Sequence, residues 1–262
     1  MHPVLFQIGS LVVPSYGVLA ALGALLALML AQATARRAGV DPRHAWNMLV
    51  LAVFAALVSS RLLLIVMNLS SLRQHPSWVF AISLVDHPLL TAAAGAGGAA
   101  ATFIYTRWAR LSLASVADCL AAPLALGWAS EQIGALLKGS DYGSETSVSW
   151  AVIYSNPLAA RWSGTPLGEP LHPVQAYAAL GALAVMVLCL VWQRYAQRAG
   201  DVAGVWLVAM GVVLFVTECF RDWEGRGVIL RGALDTPQLV ALGIVLLGGG
   251  LLTEWRRRRL TA

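Results

Sequence analysis

Apolar residues come along this chain in long blocks, each near 20 residues, separated by shorter polar stretches. A helix needs about 20 apolar residues to cross a bilayer's hydrocarbon core. Seven blocks meet that length, at about 16–35, 45–68, 89–107, 115–137, 174–192, 204–220 and 236–255. The pattern predicts an all-α integral membrane protein, a bundle of seven transmembrane helices forming one membrane domain over 1–262. The third block is mostly Ala and Gly, and its Gly95, Gly97 and Gly98 suit close helix–helix contact. No basic residue precedes the first block, while Arg36 and Arg37 follow it. That polarity is reversed for a cleaved leader, so the block reads as a retained span.

Two connecting stretches are longer than turns. The segment 70–88 mixes apolar and polar residues around Trp78 and Phe80, and is expected to lie flat on the membrane surface. The segment 139–171 is rich in Gly, Ser and Pro, and within it 148–154 reads as a strand. It predicts a small head inserted between the fourth and fifth spans, and long structured loops usually carry function.

Charge orients this bundle. Only 12% of residues are charged and 58% are hydrophobic, against about 25% charged in soluble domains. The net charge is +5, and Lys138 is the only lysine among 18 basic residues. With the N-terminus outside, the inner loops and tail hold Arg36, Arg37, Arg43, Arg107, Arg110, Arg194, Arg198 and the run Arg256 to Arg259. The outer side holds Arg73, Lys138, Arg161, Arg226 and Arg231 over much longer loops. The positive-inside rule then gives N-out, C-in, with the head outside. Trp46, Trp108, Trp192, Trp206 and Trp255 fall at the inner boundary as an aromatic belt. Arginine placed in this way serves orientation, so membrane lipid is the expected partner and nucleic acid is not. Cys119, Cys189 and Cys219 lie in apolar segments without metal-ligand spacing, and read as buried structural thiols. No metal or cofactor is expected.

Some charges stand inside the spans. Arg61 lies among Leu57, Leu62, Leu63 and Leu64. A charge at mid-membrane costs roughly 2.5–3.5 kcal/mol on insertion scales, so such a residue usually faces the bundle interior and serves a site. Snorkelling to the outer surface is the alternative. Asp118, Glu131, Glu218 and Arg221 are further intramembrane ionisable groups. Asp118, near the inner side, is expected to pair with a basic loop. Glu218 and Arg221 are three apart and share a face of a continuing helix. They make either a structural ion pair or an anion site, in which arginine grips phosphate and the carboxylate orients it. The run His172-Pro173-Val174-Gln175-Ala176-Tyr177 opens the fifth span, with Pro173 suited to a first helical turn.

These pieces together resemble bacterial prolipoprotein diacylglyceryl transferase, nearly end to end. The opening Met1 to Gly9 looks like that family's start. Ser15-Tyr16-Gly17 is similar to its Y-S-Y-G, and Ser60-Arg61-Leu62 to its G-A-R-L. Asp118 with Pro123, Ile133-Gly134, Gly139 and Tyr142-Gly143 follow its fourth-span pattern. The stretch 168–177 resembles its G-x-P-L-H-P-x-Q-L-Y, and 215–221 its R-F-x-x-E-x-x-R. There are departures. The family's His-Gly-Gly reads Ala92-Ala93-Ala94, its G-R-I-G-N reads Glu131-Gln132-Ile133-Gly134-Ala135, its N-G-E reads Lys138-Gly139-Ser140, and its first R of R-F-x-x-E-x-x-R is Leu214.

The resemblance implies transfer of a diacylglyceryl group from phosphatidylglycerol to the lipobox cysteine thiol of a prolipoprotein, with release of glycerol phosphate. It places the protein in the bacterial inner membrane as a multi-pass protein with a periplasmic active face. The implied catalytic residues are His172, Glu218 and Tyr16. The implied substrate and phosphate ligands are Arg61, Arg221, Gln175, Tyr177, Gly134 and Gly143. A second reading is a non-catalytic relative that binds phospholipid or prolipoprotein and assists processing. A third, an unrelated transporter, would show repeat symmetry or broken polar helices, and the sequence has neither.

Overall fold

Every long apolar block becomes a helix. A computed structural model describes residues 2–8, 11–69, 88–222, 228–229 and 234–260. Its helices are α1 (Ser15–Ala35), α2 (Pro42–Met67), α3 (Pro88–Trp108), α4 (Leu113–Lys138), α5 (Pro157–Ser163), α6 (Val174–Trp192), α7 (Asp201–Glu218) and α8 (Thr236–Leu260). All but α5 carry a stretch long and apolar enough to cross a membrane, seven in total among the described residues. The protein is an all-α, multi-pass integral membrane protein. The expected surface segment at 70–88 lies outside the described residues, apart from Pro88 in α3, as do Arg73, Arg226 and Arg231.

Local chemistry sets the helix ends. Asp41 accepts the Arg43 N–H at 2.8 Å, and Pro42 starts α2. Gly139, at φ 96°, closes α4 by donating its N–H to the Ala135 carbonyl at 2.8 Å. Asp118, expected to pair with a basic loop, caps α7 where it leaves the loop that carries Arg194 and Arg198. Its two oxygens accept the N–H groups of Gly200 at 2.6 Å and Ala203 at 2.8 Å. A helix N-terminus offers unpaired N–H groups and a positive dipole end, and a buried carboxylate satisfies both.

The helices pack around α4, which contacts α1, α6 and α7. Its buried surface is made largely of Cys119, Ala121, Ala122, Ala125, Ala129 and Ala135. Small side chains let helix backbones approach, and in lipid that packing replaces the hydrophobic drive. α2 and α3 form an outer pair, and α7 and α8 another. Gly97 and Gly98 face α2, as expected; Gly95 faces open space. The Ser59 hydroxyl donates to the Ala93 carbonyl at 2.9 Å across the pair. Cys119 and Cys189 are buried, but Cys219 is exposed, because α7 ends one residue before it.

Three two-stranded pieces decorate the ends: β1 (Val4–Ile8) with β2 (Leu11–Pro14), β3 (Val152–Ile153) with β4 (Pro170–Leu171), and β5 (Val228–Ile229) with β6 (Leu234–Asp235). All pair antiparallel. The strand expected over 148–154 keeps only two residues. The Ala151 N–H donates to the Val148 carbonyl at 3.1 Å, so the first half is a turn. The head's small core is Tyr154, Ala159 and Leu171, with Tyr142 and Val152 against it.

Candidate active site

Where the head meets the bundle, the chain encloses an open cavity of about 880 Å³. The helices supply Tyr16 from α1, Thr91 from α3, Trp128, Glu131 and Gln132 from α4, and Leu214 and Glu218 from α7. Ser140, Asp141, Trp162 and Ser163 from the head and Arg221, just past α7, complete the wall.

Arg221 is the buried cation of this wall, 8% exposed. Its Nη1 donates to Asp141 Oδ1 at 2.9 Å, and its Nε lies 3.2 Å from Glu218 Oε1. Glu218 and Arg221 do pair, but not on a continuing helix. α7 stops at Glu218, and the Arg221 N–H reaches back to the Glu218 carbonyl at 3.2 Å in a tight turn. Arg221 then bridges Gly143 in an antiparallel register. The Gly143 N–H donates to His172 O at 3.2 Å, and the Ser144 N–H to Phe220 O at 3.0 Å. One extended piece of the head therefore ties the His172 segment to the Arg221 segment. A Cβ at Gly143 would sit 2.6 Å from His172 Cβ, so only glycine fits. Asp141 holds the left-handed conformation, φ 58°, which Asp tolerates better than most residues.

Glu131 lines the same cavity. Its Oε1 accepts the Tyr16 hydroxyl at 3.2 Å, and its Oε2 accepts Gln132 Nε2 at 2.8 Å. Gly134 lets α1 approach, since a Cβ there would meet Tyr16 Cδ2 at 3.2 Å. Lys138 Nζ lies 5.3 Å from the centre of the Tyr16 ring, within cation–π range. Three buried polar atoms of the wall lack a hydrogen-bond partner: Arg221 Nε, Gln132 Oε1 and Ser163 Oγ. Orphaned buried polar groups are costly and rare, so their gathering in one cavity marks a place for a polar ligand.

Three of the expected site residues, His172, Gln175 and Tyr177, make their contacts with the head. His172 Nδ1 is 3.3 Å from the Tyr177 hydroxyl, which also accepts Trp150 Nε1 at 2.7 Å. The His172 ring stacks edgewise on Phe220 at 5.2 Å. Gln175 is fully buried, and its Nε2 donates to the Ser140 carbonyl at 2.6 Å. The same group reaches the Tyr154 hydroxyl at 3.4 Å. Burial pushes the Tyr154 phenol up to about 12, with the Gln175 contact pulling the other way, so it stays a neutral donor to the Leu136 carbonyl at 3.2 Å. His172, Gln175 and Tyr177 do not line the cavity, and neither does Arg61, which is half-buried on α2. The structure thus brings together Tyr16, Glu218 and Arg221, with Gly134 and Gly143 shaping the approach.

The family model for prolipoprotein diacylglyceryl transferase matches residues 3–254. The chain belongs to that family. The phosphatidylglycerol–prolipoprotein diacylglyceryl transferase of Clostridium tetani is 25% identical over 95% of this chain and 95% of its own. Enzyme 2 of that name from Clostridium perfringens is 28% identical over 96% and 94%. The one from Vibrio cholerae is 29% identical over 99% and 93%. Of the positions that depart from the pattern described above, Glu131, Gln132, Ser140 and Leu214 line the cavity, while Ala92, Ala93, Ala94, Ala135 and Lys138 do not. Sequence reasoning noted Glu131 as an intramembrane charge without giving it a role. Asp141 was missed outright, since nothing local distinguishes it from other loop aspartates.

Proposed function

We propose that the protein is a phosphatidylglycerol–prolipoprotein diacylglyceryl transferase of the bacterial inner membrane, acting at its periplasmic face on the lipobox cysteine. The membership of the family and the full-length likeness to relatives of that name support the reading. The single observation that carries the chemistry is the buried Arg221 on the wall of a cavity at the head end of the spans, whose Nε–H is ion-paired with Glu218 at 3.2 Å but makes no aligned hydrogen bond. A phosphate oxygen is the natural acceptor, because guanidinium pairs with phosphate by charge-assisted, directional hydrogen bonds.

In this reading the phosphate of phosphatidylglycerol sits against Arg221. Asp141 and Glu218 hold the guanidinium from two sides and fix its plane. The cysteine sulfur attacks the terminal glyceryl carbon, a C–S bond forms, the C–O bond to phosphate breaks, and glycerol phosphate leaves. Arg221 stabilises the charge that builds on the departing phosphate, where a fixed cation in a dry site acts most strongly. The lipid enters laterally between Thr91 of α3 and Leu214 of α7, which stand on the cavity wall and whose helices are not a main packing pair. The inward arginines and the outward head support the periplasmic orientation.

Complementation tests the reading in cells. In a bacterium whose own transferase is shut off, expression of this protein should restore growth and lipoprotein maturation. Failure to do so at normal membrane levels, where the Vibrio cholerae relative succeeds, would contradict it.

A further inference from the structure

We infer that Glu131 is the general base that takes the proton from the attacking thiol, an inference that rests on the transferase reading above. Among the described residues, three carboxylates line the cavity. Asp141 and Glu218 are already paired with Arg221. Glu131 is different: its two hydrogen-bond partners, the Tyr16 hydroxyl and Gln132 Nε2, are both neutral. It makes no ion pair among the described residues, so it is the carboxylate available to accept a proton. Those two contacts also fix its plane, as a base must be fixed to act on a bound group.

A second observation points to a proton donor arriving at the same spot. Gln132 is 5% exposed, lines the cavity and leaves Oε1 without a donor. A buried acceptor beside a carboxylate is satisfied when the ligand presents an S–H or O–H group there. His172, given above as an implied catalytic residue, has its ring on Tyr177 and Phe220 and lies off the cavity wall.

The step balances. The thiol proton passes to a Glu131 oxygen as the sulfur lone pair forms the C–S bond. The electrons of the breaking C–O bond stay on the phosphate oxygen, which leaves as glycerol phosphate. Protonated Glu131 then returns its proton to water or to the departing phosphate.

The test is the initial rate of adduct formation on a lipobox peptide in phosphatidylglycerol vesicles, followed by mass spectrometry across pH. Glu131→Gln should lower the rate by about 10²–10⁴-fold, the usual contribution of a general base. It should leave phosphatidylglycerol binding near wild type and erase the fall in rate on the acid side. Glu131→His, which restores a base, should recover part of the rate with an altered pH profile. A Glu131→Gln protein with wild-type rate and an unchanged acid limb overturns the assignment. If that variant does not fold, the wild-type profile and Glu131→Asp decide. A wild-type rate that stays flat through carboxylate titration also overturns it, while a reduced rate in Glu131→Asp that keeps the acid limb upholds it. A wild-type protein that forms no adduct at all sinks the transferase reading itself, an outcome separate from loss of the Glu131 role alone.

Discussion

Arg221 occupies a position in which charge and shape are both demanded. Two carboxylates hold it, and it must still turn a donor toward the ligand. Arg221→Lys keeps the charge and balances the carboxylates, but loses the planar fork. Its adduct yield should fall about 10²-fold or more, as for loss of one preorganised donor, while its thermal midpoint stays near wild type. Equal losses of stability and activity would mean the residue is only structural. Gly143 acts on the same cation through the backbone. Gly143→Ala drives a methyl into His172, and overpacking of that kind costs about 1–3 kcal/mol. Thermal unfolding in detergent should show the drop, and activity should fall further because the Arg221 segment moves with Gly143. At this scale the sequence is readable only where a charge stands in an apolar run. Arg221, Glu218 and Glu131 announce themselves in that way. Asp141 does not, and the displacement of His172 toward Tyr177 depends on a fold no local pattern encodes.

The elements were largely legible because each span has to bury its own backbone in lipid, and that takes a long apolar run. The hairpin of β1 and β2 was not, since four- and five-residue strands leave little alternation to read. Helix α5 did carry a signal that went unused. Asn156 caps it, accepting the Leu158 N–H at 2.9 Å, Pro157 opens it and Gly164 at φ 68° closes it. Those are the start and stop residues of a short helix. Asp118 makes the element-scale prediction. Asp118→Ala removes the cap of α7 at the end of the bundle away from the cavity, and should cost about 0.5–2 kcal/mol. Thermal unfolding should register that loss, with adduct formation by the folded fraction unchanged. An activity loss in fully folded protein would mean that α7 transmits strain to Glu218.

At the scale of the whole molecule, seven spans and the arginine count set which way the cavity faces. Cysteine labelling in intact cells checks it. On a Cys219→Ala background, Glu169→Cys in the exposed head should react with a membrane-impermeant maleimide. Ala199→Cys, in the exposed loop at the other end, should react only after the membrane is opened. The reverse pattern would put the cavity on the wrong side for a secreted prolipoprotein. The most direct measurement of all is chemical. Purified protein in phosphatidylglycerol vesicles is given a lipobox peptide, and the peptide is weighed by mass spectrometry while released glycerol phosphate is counted. One diacylglyceryl group on the cysteine for each glycerol phosphate released is the predicted result. An unmodified peptide, under conditions in which the Vibrio cholerae relative modifies it fully, would contradict the account.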